Sequence, residues 1–259
     1  MRIFYGIAGI ALSWIDGLKA CFYNVFWPSK GSSTHALLIY TGTLWPTGMS
    51  FKNEVLRDPV GNMLLHQKKC ELDVALLDHD YLKTLPKNTL GGVYYDYIQR
   101  LMESTDYQYR NYHQLKSDLY LIPREKLKRR LISQLFASRE SKRTSFKFLQ
   151  QLGAQHDIFH SLLGYGPNTD GELGVHAYQY HHFKIPAVKL IFFGMMIAQT
   201  FRTLSFKPFK IGLEGYRNGK RANRNLFIVD WKNHIEDDVD YIKNKYNIVD
   251  NQYYKKLYP

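Results

Sequence analysis

A cluster of turn-forming residues between two helical stretches constrains this chain more than any other feature. Gly164, Gly166, Pro167, Asn168 and Asp170 fall within seven residues, the chemistry of a tight reversal. Before them, His156 and His160 stand four apart. On a helix that spacing puts both imidazoles on one face, one turn apart. This helix is predicted to end near Gly164. A second is predicted to begin with Asn168, Thr169 or Asp170 as its cap. Glu172 then falls in its first turn, where the helix dipole favours a carboxylate, and the reversal returns it toward the two histidines. Asp157 lies about 100° round the helix from His156, either as an edge ligand or as an acceptor that fixes an imidazole. Two imidazoles and one carboxylate leave coordination positions open, as catalytic metal sites do and closed structural ones do not. The same groups could equally cap helices and hydrogen-bond to one another, so spacing alone leaves both readings standing.

Helical periodicity continues elsewhere. Leu72, Leu76, Tyr81 and Leu82 are partly in phase over residues 72–85. Asn88 or Thr89 caps a helix whose stripe is Leu90, Val93, Tyr94, Tyr97, Ile98 and Leu101, and Gly91 and Gly92 near its start suit close helix packing. Residues 124–147 carry nine basic and two acidic side chains around an apolar stripe, a basic amphipathic helix. His176, His181 and His182 are placed on the Glu172 helix. His176, four residues after Glu172, comes within range of the site but is read as a supporting or surface histidine. Pro186 opens an apolar helix to Phe201, with Leu190, Phe193, Gly194, Ile197 and Phe201 predicted to face inward; Lys189 and its length argue against a membrane span. A last helix is predicted from Trp231, carrying Ile235, Val239, Ile242 and Tyr246. No long run alternates with period two. The fold class is therefore all-α, a single multi-helix domain over residues 51–259. Residues 1–50 form a separate apolar and aromatic segment. Its run from Ile3 to Ile15 is too short to span a bilayer and has no cleavage signal, which suits a helix on the body or at a membrane interface.

Net charge is +12, which attracts anions. No nucleic-acid-binding signature accompanies it, so an anionic membrane surface is the expected partner and nucleic acid is not. Cys21 and Cys70 are the only cysteines and make no disulfide framework.

The pattern His156-Asp157-x-x-His160, eleven residues, then Glu172 resembles the signature of the Coq-four family of ubiquinone biosynthesis proteins. Two further segments are similar to that family in the right order. One is Leu85-Pro86-Lys87-Asn88-Thr89-Leu90-Gly91-Gly92-Val93-Tyr94; the other is Gly215-Tyr216-Arg217-Asn218-Gly219-Lys220-Arg221-Ala222 followed by Asp230-Trp231. The basic segment 124–147 is longer than the family pattern needs. The resemblance implies an all-helical protein with a prenyl-lipid groove, for which the helices over 90–101 and 187–201 are the candidate walls. It also implies homodimers and one divalent metal on His156, Asp157, His160 and Glu172, zinc first, with iron or another transition metal as the alternative. It further implies metal-dependent, oxidative decarboxylation at C1 of a prenylated quinone precursor, alongside other ubiquinone-biosynthesis proteins. The expected location is peripheral: the cytoplasmic face of a bacterial membrane, or the matrix side of a mitochondrial inner membrane. A non-catalytic prenyl-lipid scaffold is the second reading. A metal phosphohydrolase, which would need further His and Asp ligands on other helices, is the third.

Overall fold

A computed structural model describes residues 49–103 and 139–259. The N-terminal apolar run and most of the basic stretch 124–147 lie outside the described residues. Among the described residues the regular structure is helical, with one isolated antiparallel bridge between Thr89 and Asp238 and no strand. The helices are α1 (Met49–Arg57), α2 (Pro59–His66), α3 (Glu71–Leu77), α4 (His79–Thr84), α5 (Leu90–Glu103), α6 (Arg139–Leu163), α7 (Thr169–Gln179), α8 (Pro186–Thr203), α9 (Lys207–Arg221), α10 (Val239–Tyr246) and α11 (Gln252–Leu257). None of the described helices is long and apolar enough to cross a membrane.

Local chemistry sets the element boundaries. Asp58 caps α2 by accepting from the Val60 and Gly61 amides at 2.9 and 3.0 Å. The stretch 72–85 is two helices rather than one. Asp78 closes α3 and its carboxylate caps α4 through the Tyr81 amide at 3.1 Å. Thr89 caps α5, its Oγ1 accepting from the Gly92 amide at 3.2 Å, and Leu90, Tyr94, Tyr97, Ile98 and Leu101 are buried as the stripe requires. That stripe packs into the core. The single helix expected from Trp231 is instead a 3₁₀ turn (Trp231–His234) followed by α10. Asp238 starts the new helix by accepting from the Asp240 and Tyr241 amides at 2.8 and 3.2 Å. Three backbone bonds fasten this junction to the start of α5: Leu90 to Asp237, Gly91 to Ile235 and Val239 to Asn88.

The core runs along α5, α6 and α7. Phe51, Phe148, Phe183 and Phe227 form an edge-to-face and tilted aromatic cluster with centroids 5.0–5.7 Å apart. Trp231 is buried against Phe159, and its indole N–H donates to the Leu226 carbonyl at 3.1 Å. Helices α7 and α9 approach closely because Gly215 has no side chain. A Cβ there would lie 2.6 Å from the Gly174 carbonyl oxygen.

Helix α8 departs from the predicted orientation. Val188, Ile191, Phe192 and Ala198 face the interior, while Phe193, Ile197 and Phe201 are exposed. The stripe continues through Leu204, 90% exposed, to Phe206 and Phe209. Because α8 is apolar on most sides, periodicity alone did not select its inner face; Lys189, on the same stripe at i,i+4 spacing, marks the outward one.

His182 follows α7 rather than lying on it, buried between the Phe159 and Tyr178 rings. Its Nδ1 accepts from the Leu226 amide at 3.3 Å. Burial, then the neighbouring His181 charge, depress its pKa from 6.5 to about 3, against a weaker upward pull from the Gly219 carbonyl. The unfolded chain therefore binds a proton from about pH 6.5 downward that the folded chain refuses. This contribution to stability is full above that pH and is lost as pH falls toward about 3, by up to about 1.4 kcal/mol per pH unit. In urea titrations across that window, the stability of His182→Gln should fall less steeply than wild type by about one proton. Parallel curves would contradict the assignment.

Candidate metal centre

The reversal between α6 and α7 is built as its residues dictate. Helix α6 ends at Leu163, and Gly164 takes φ 72°, a left-handed conformation suited to glycine at a helix C-terminus. Asn168 caps α7, its side-chain oxygen accepting from the Gly171 amide at 2.8 Å. Chain far away in sequence holds the turn. The Tyr254 hydroxyl accepts from the Gly166 amide at 3.0 Å and donates to Asn168 at 3.2 Å. The Asn251 amide donates to the Leu163 carbonyl at the end of α6, and Asn251 accepts from Asn218, both at 3.0 Å. Glu214 in turn accepts the Tyr253 and Tyr254 amides at 2.7 and 3.1 Å.

Glu172 consequently meets both histidines. Its Oε2 lies 3.1 Å from His156 Nε2 and its Oε1 3.4 Å from His160 Nε2, while the two Nε2 atoms are 3.2 Å apart. The side chain of His160 is 1% exposed, and those of His156 and Glu172 are 21% and 27% exposed. The cluster is thus closed on the His160 side and open on the other. Burial pushes the Glu172 carboxyl up, but the His160 charge and hydrogen bonds from both imidazoles outweigh it and hold the group well below its usual range. For His156, burial pulls the pKa down, but the hydrogen bond and charge of Glu172, the charge of Asp157 and the Gln179 contact raise it overall.

The far nitrogens of both rings are anchored. His160 Nδ1 faces the Tyr165 carbonyl at 3.2 Å; a carbonyl can only accept, so Nδ1 carries a proton, and Nε2, on the cluster side, donates to Glu172 when protonated and offers a lone pair to a cation when not. His156 Nδ1 faces Gln179 Oε1 at 3.4 Å. Tyr97 of α5 stacks on His160, with centroids 5.3 Å apart and planes at 18°. These partners orient the imidazoles as supporting residues do around metals.

The donor set fits a cation. Two ligands each about 2.0–2.1 Å from one four-coordinate ion stand about 3.3–3.4 Å apart. The separations here are 3.1, 3.2 and 3.4 Å. Without a cation, protons on the imidazoles hold the group together; in neutral rings the same Nε2 lone pairs would face a cation at its centre.

His156, His160 and Glu172 are therefore brought together as the spacing predicted. Asp157 is buried on the same helix and acts on His156 through its charge. Of the two positions expected for His176, supporting or surface, the structure has the first: it is buried, with its ring 5.1 Å from that of His156. The roles of Gln179, Tyr97 and the Tyr165 carbonyl were not foreseen. One signal was available: Glu172, His176 and Gln179 recur at i, i+4 and i+7, a polar stripe on one face of an otherwise apolar helix.

The chain matches the sequence profile of the family described as coenzyme Q (ubiquinone) biosynthesis protein Coq4 over residues 15–124 and 146–252. The match starts within the N-terminal segment and passes over most of the basic stretch. Similar proteins include the mitochondrial ubiquinone biosynthesis protein COQ4 of Scheffersomyces stipitis, 22% identical over 249 residues, covering 90% of this chain and 64% of that one. The same-named protein of Debaryomyces hansenii is 23% identical over 232 residues, covering 87% and 58%. The chain thus spans about six-tenths of the length of these relatives. Its fold is similar to the crystal structure of a protein from Nostoc punctiforme, with a TM-score of 0.60 at 17% identity over 90% of this chain and 97% of that one. With a match covering most of its length and both blocks in order, this chain belongs to the coenzyme Q (ubiquinone) biosynthesis protein Coq4 family.

Proposed function

We propose that this chain acts in ubiquinone biosynthesis by removing the ring carboxyl at C1 of a prenylated aromatic precursor at a membrane surface. The observation that carries the proposal is the meeting of His156, His160 and an ionised Glu172 around one point open to solvent on a single side. His156, His160 and Glu172 would hold a divalent cation, zinc or a redox-active ion such as iron, with Asp157 adding negative charge beside them. When bound, such an ion supplies Lewis-acid stabilisation for negative charge left on the ring as carbon dioxide departs. The chain's own residues do the rest. Gln179 and the Tyr165 carbonyl fix the imidazoles, Tyr97 covers His160 from behind, and Glu172 stays a carboxylate at neutral pH. In the reaction the bond between C1 and the carboxyl breaks, carbon dioxide leaves and the electron pair stays on the ring, where a proton takes it up. The oxidative form also needs dioxygen and a two-electron donor. A phosphohydrolase has less support: among the described residues, the candidate ligand group lies only on α6 and α7.

The outer stripe of α8 supports the membrane part of the proposal. Phe193, Ile197, Phe201, Leu204, Phe206 and Phe209 are exposed, and Lys189, Arg202 and Lys210 are exposed beside them. Apolar side chains flanked by cations suit an anionic bilayer surface, where a prenyl tail resides.

Purified protein given metal and carboxylated prenyl precursor, with dioxygen and reductant present and absent, should release carbon dioxide. A folded Glu172→Ala variant should release it at least about 100-fold more slowly. Prenyl-lipid binding with no release from wild type would make the protein a scaffold instead. In co-sedimentation with phosphatidylserine-containing vesicles, Phe201→Glu with Leu204→Glu should cut binding by at least about tenfold. Unchanged vesicle binding with an altered oligomeric state would assign the stripe to an interface between copies.

A further inference from the structure

We propose that His176 is a further ligand of the cation at this site, giving it three imidazoles and a carboxylate. The inference rests on the metal reading above and deepens it. His176 lies one turn after Glu172 on α7, on the same face, and is 7% exposed. Ligand atoms of His156, Glu172 and His176 all lie within 4.8 Å of one another. Two ligands about 2.1 Å from one ion are at most about 4.2 Å apart, when they sit on opposite sides of it. At 4.8 Å or less, these separations exceed that reach by roughly half an ångström at most, within what a side-chain adjustment covers.

A second observation points the same way. His176 Nδ1 is buried and has no hydrogen-bond partner. The other two imidazoles each have a distal anchor, in Tyr165 and Gln179. An orphaned buried ring nitrogen is destabilising, and the neighbours on α7, Val175, Ala177 and Tyr178, are fully buried. Coordination through this nitrogen would satisfy it. A fourth protein ligand also restricts the ion. A four-coordinate centre would have no place for substrate, whereas five or six positions leave one or two open. The inference thus favours a first-row transition ion that accepts a higher coordination number.

The test uses the whole 259-residue chain stripped with chelator and reloaded with cobalt(II), read by its visible d–d spectrum and by competition with a chromophoric chelator. Wild type should bind one equivalent with the weak bands of a five- or six-coordinate ion. His176→Phe, which fills the same space, should bind at least about tenfold more weakly and show stronger bands as the coordination number falls. His176→Asn, a smaller change, is run beside it, and thermal melts in chelator identify the variant that is folded. A folded variant with wild-type affinity and spectrum overturns the inference. So does weaker binding with an unchanged spectrum, which would make His176 a positioning residue. Wild type that retains no cobalt overturns the metal reading itself, and this inference with it.

Discussion

An ionised, half-buried carboxylate held against two imidazoles is the interaction on which the rest of this structure turns. Glu172 would ordinarily be driven neutral by its surroundings. It stays charged because His156 and His160 present nitrogen to both of its oxygens. Neither helix alone could hold that arrangement. Helix α6 brings the imidazoles to one face, α7 brings the carboxylate, and the seven-residue reversal between them sets the approach.

Much of the remaining architecture serves that approach. Asn251, fully buried, satisfies the Leu163 carbonyl where α6 ends, and Tyr254 bonds the turn at Gly166 and Asn168. Glu214 of α9 caps the start of α11 and so fixes both of these groups. On the other side, α5 lays Tyr97 on His160, and α5 is fastened at its start to the junction before α10. Segments distant in the sequence thus converge on one helix hairpin. This gives a physical reason for two of the similar segments, one at the start of α5 and one on α9, to accompany the histidine motif.

What was legible in the sequence is what short-range chemistry decides. The histidine spacing, the glycine at the end of α6, the asparagine cap of α7 and the threonine cap of α5 depend on residues within a turn of one another. What was not legible depends on tertiary packing. Helix α8 carries apolar residues on most of its surface, so its period is uninformative, and its inner face is chosen by Phe192 packing against Leu173 and Ala177. His176 was left between a supporting and a surface position because nothing local says that α9 covers α7. The two are pressed together by the missing side chain at Gly215. The supporting roles of Asn251 and Tyr254 lie more than eighty residues from the groups they hold.

Membership of the family and the open-sided cluster fit the proposal of a helical scaffold that would offer anchored nitrogen and oxygen donors to a cation. Anomalous diffraction at a metal absorption edge tests that proposal most directly, on crystals of protein purified without chelators. A peak is expected about 2.0–2.2 Å from His156 Nε2, His160 Nε2 and a Glu172 oxygen. No peak there, or one bound elsewhere with Glu172 still hydrogen-bonded to the two histidines, would contradict it.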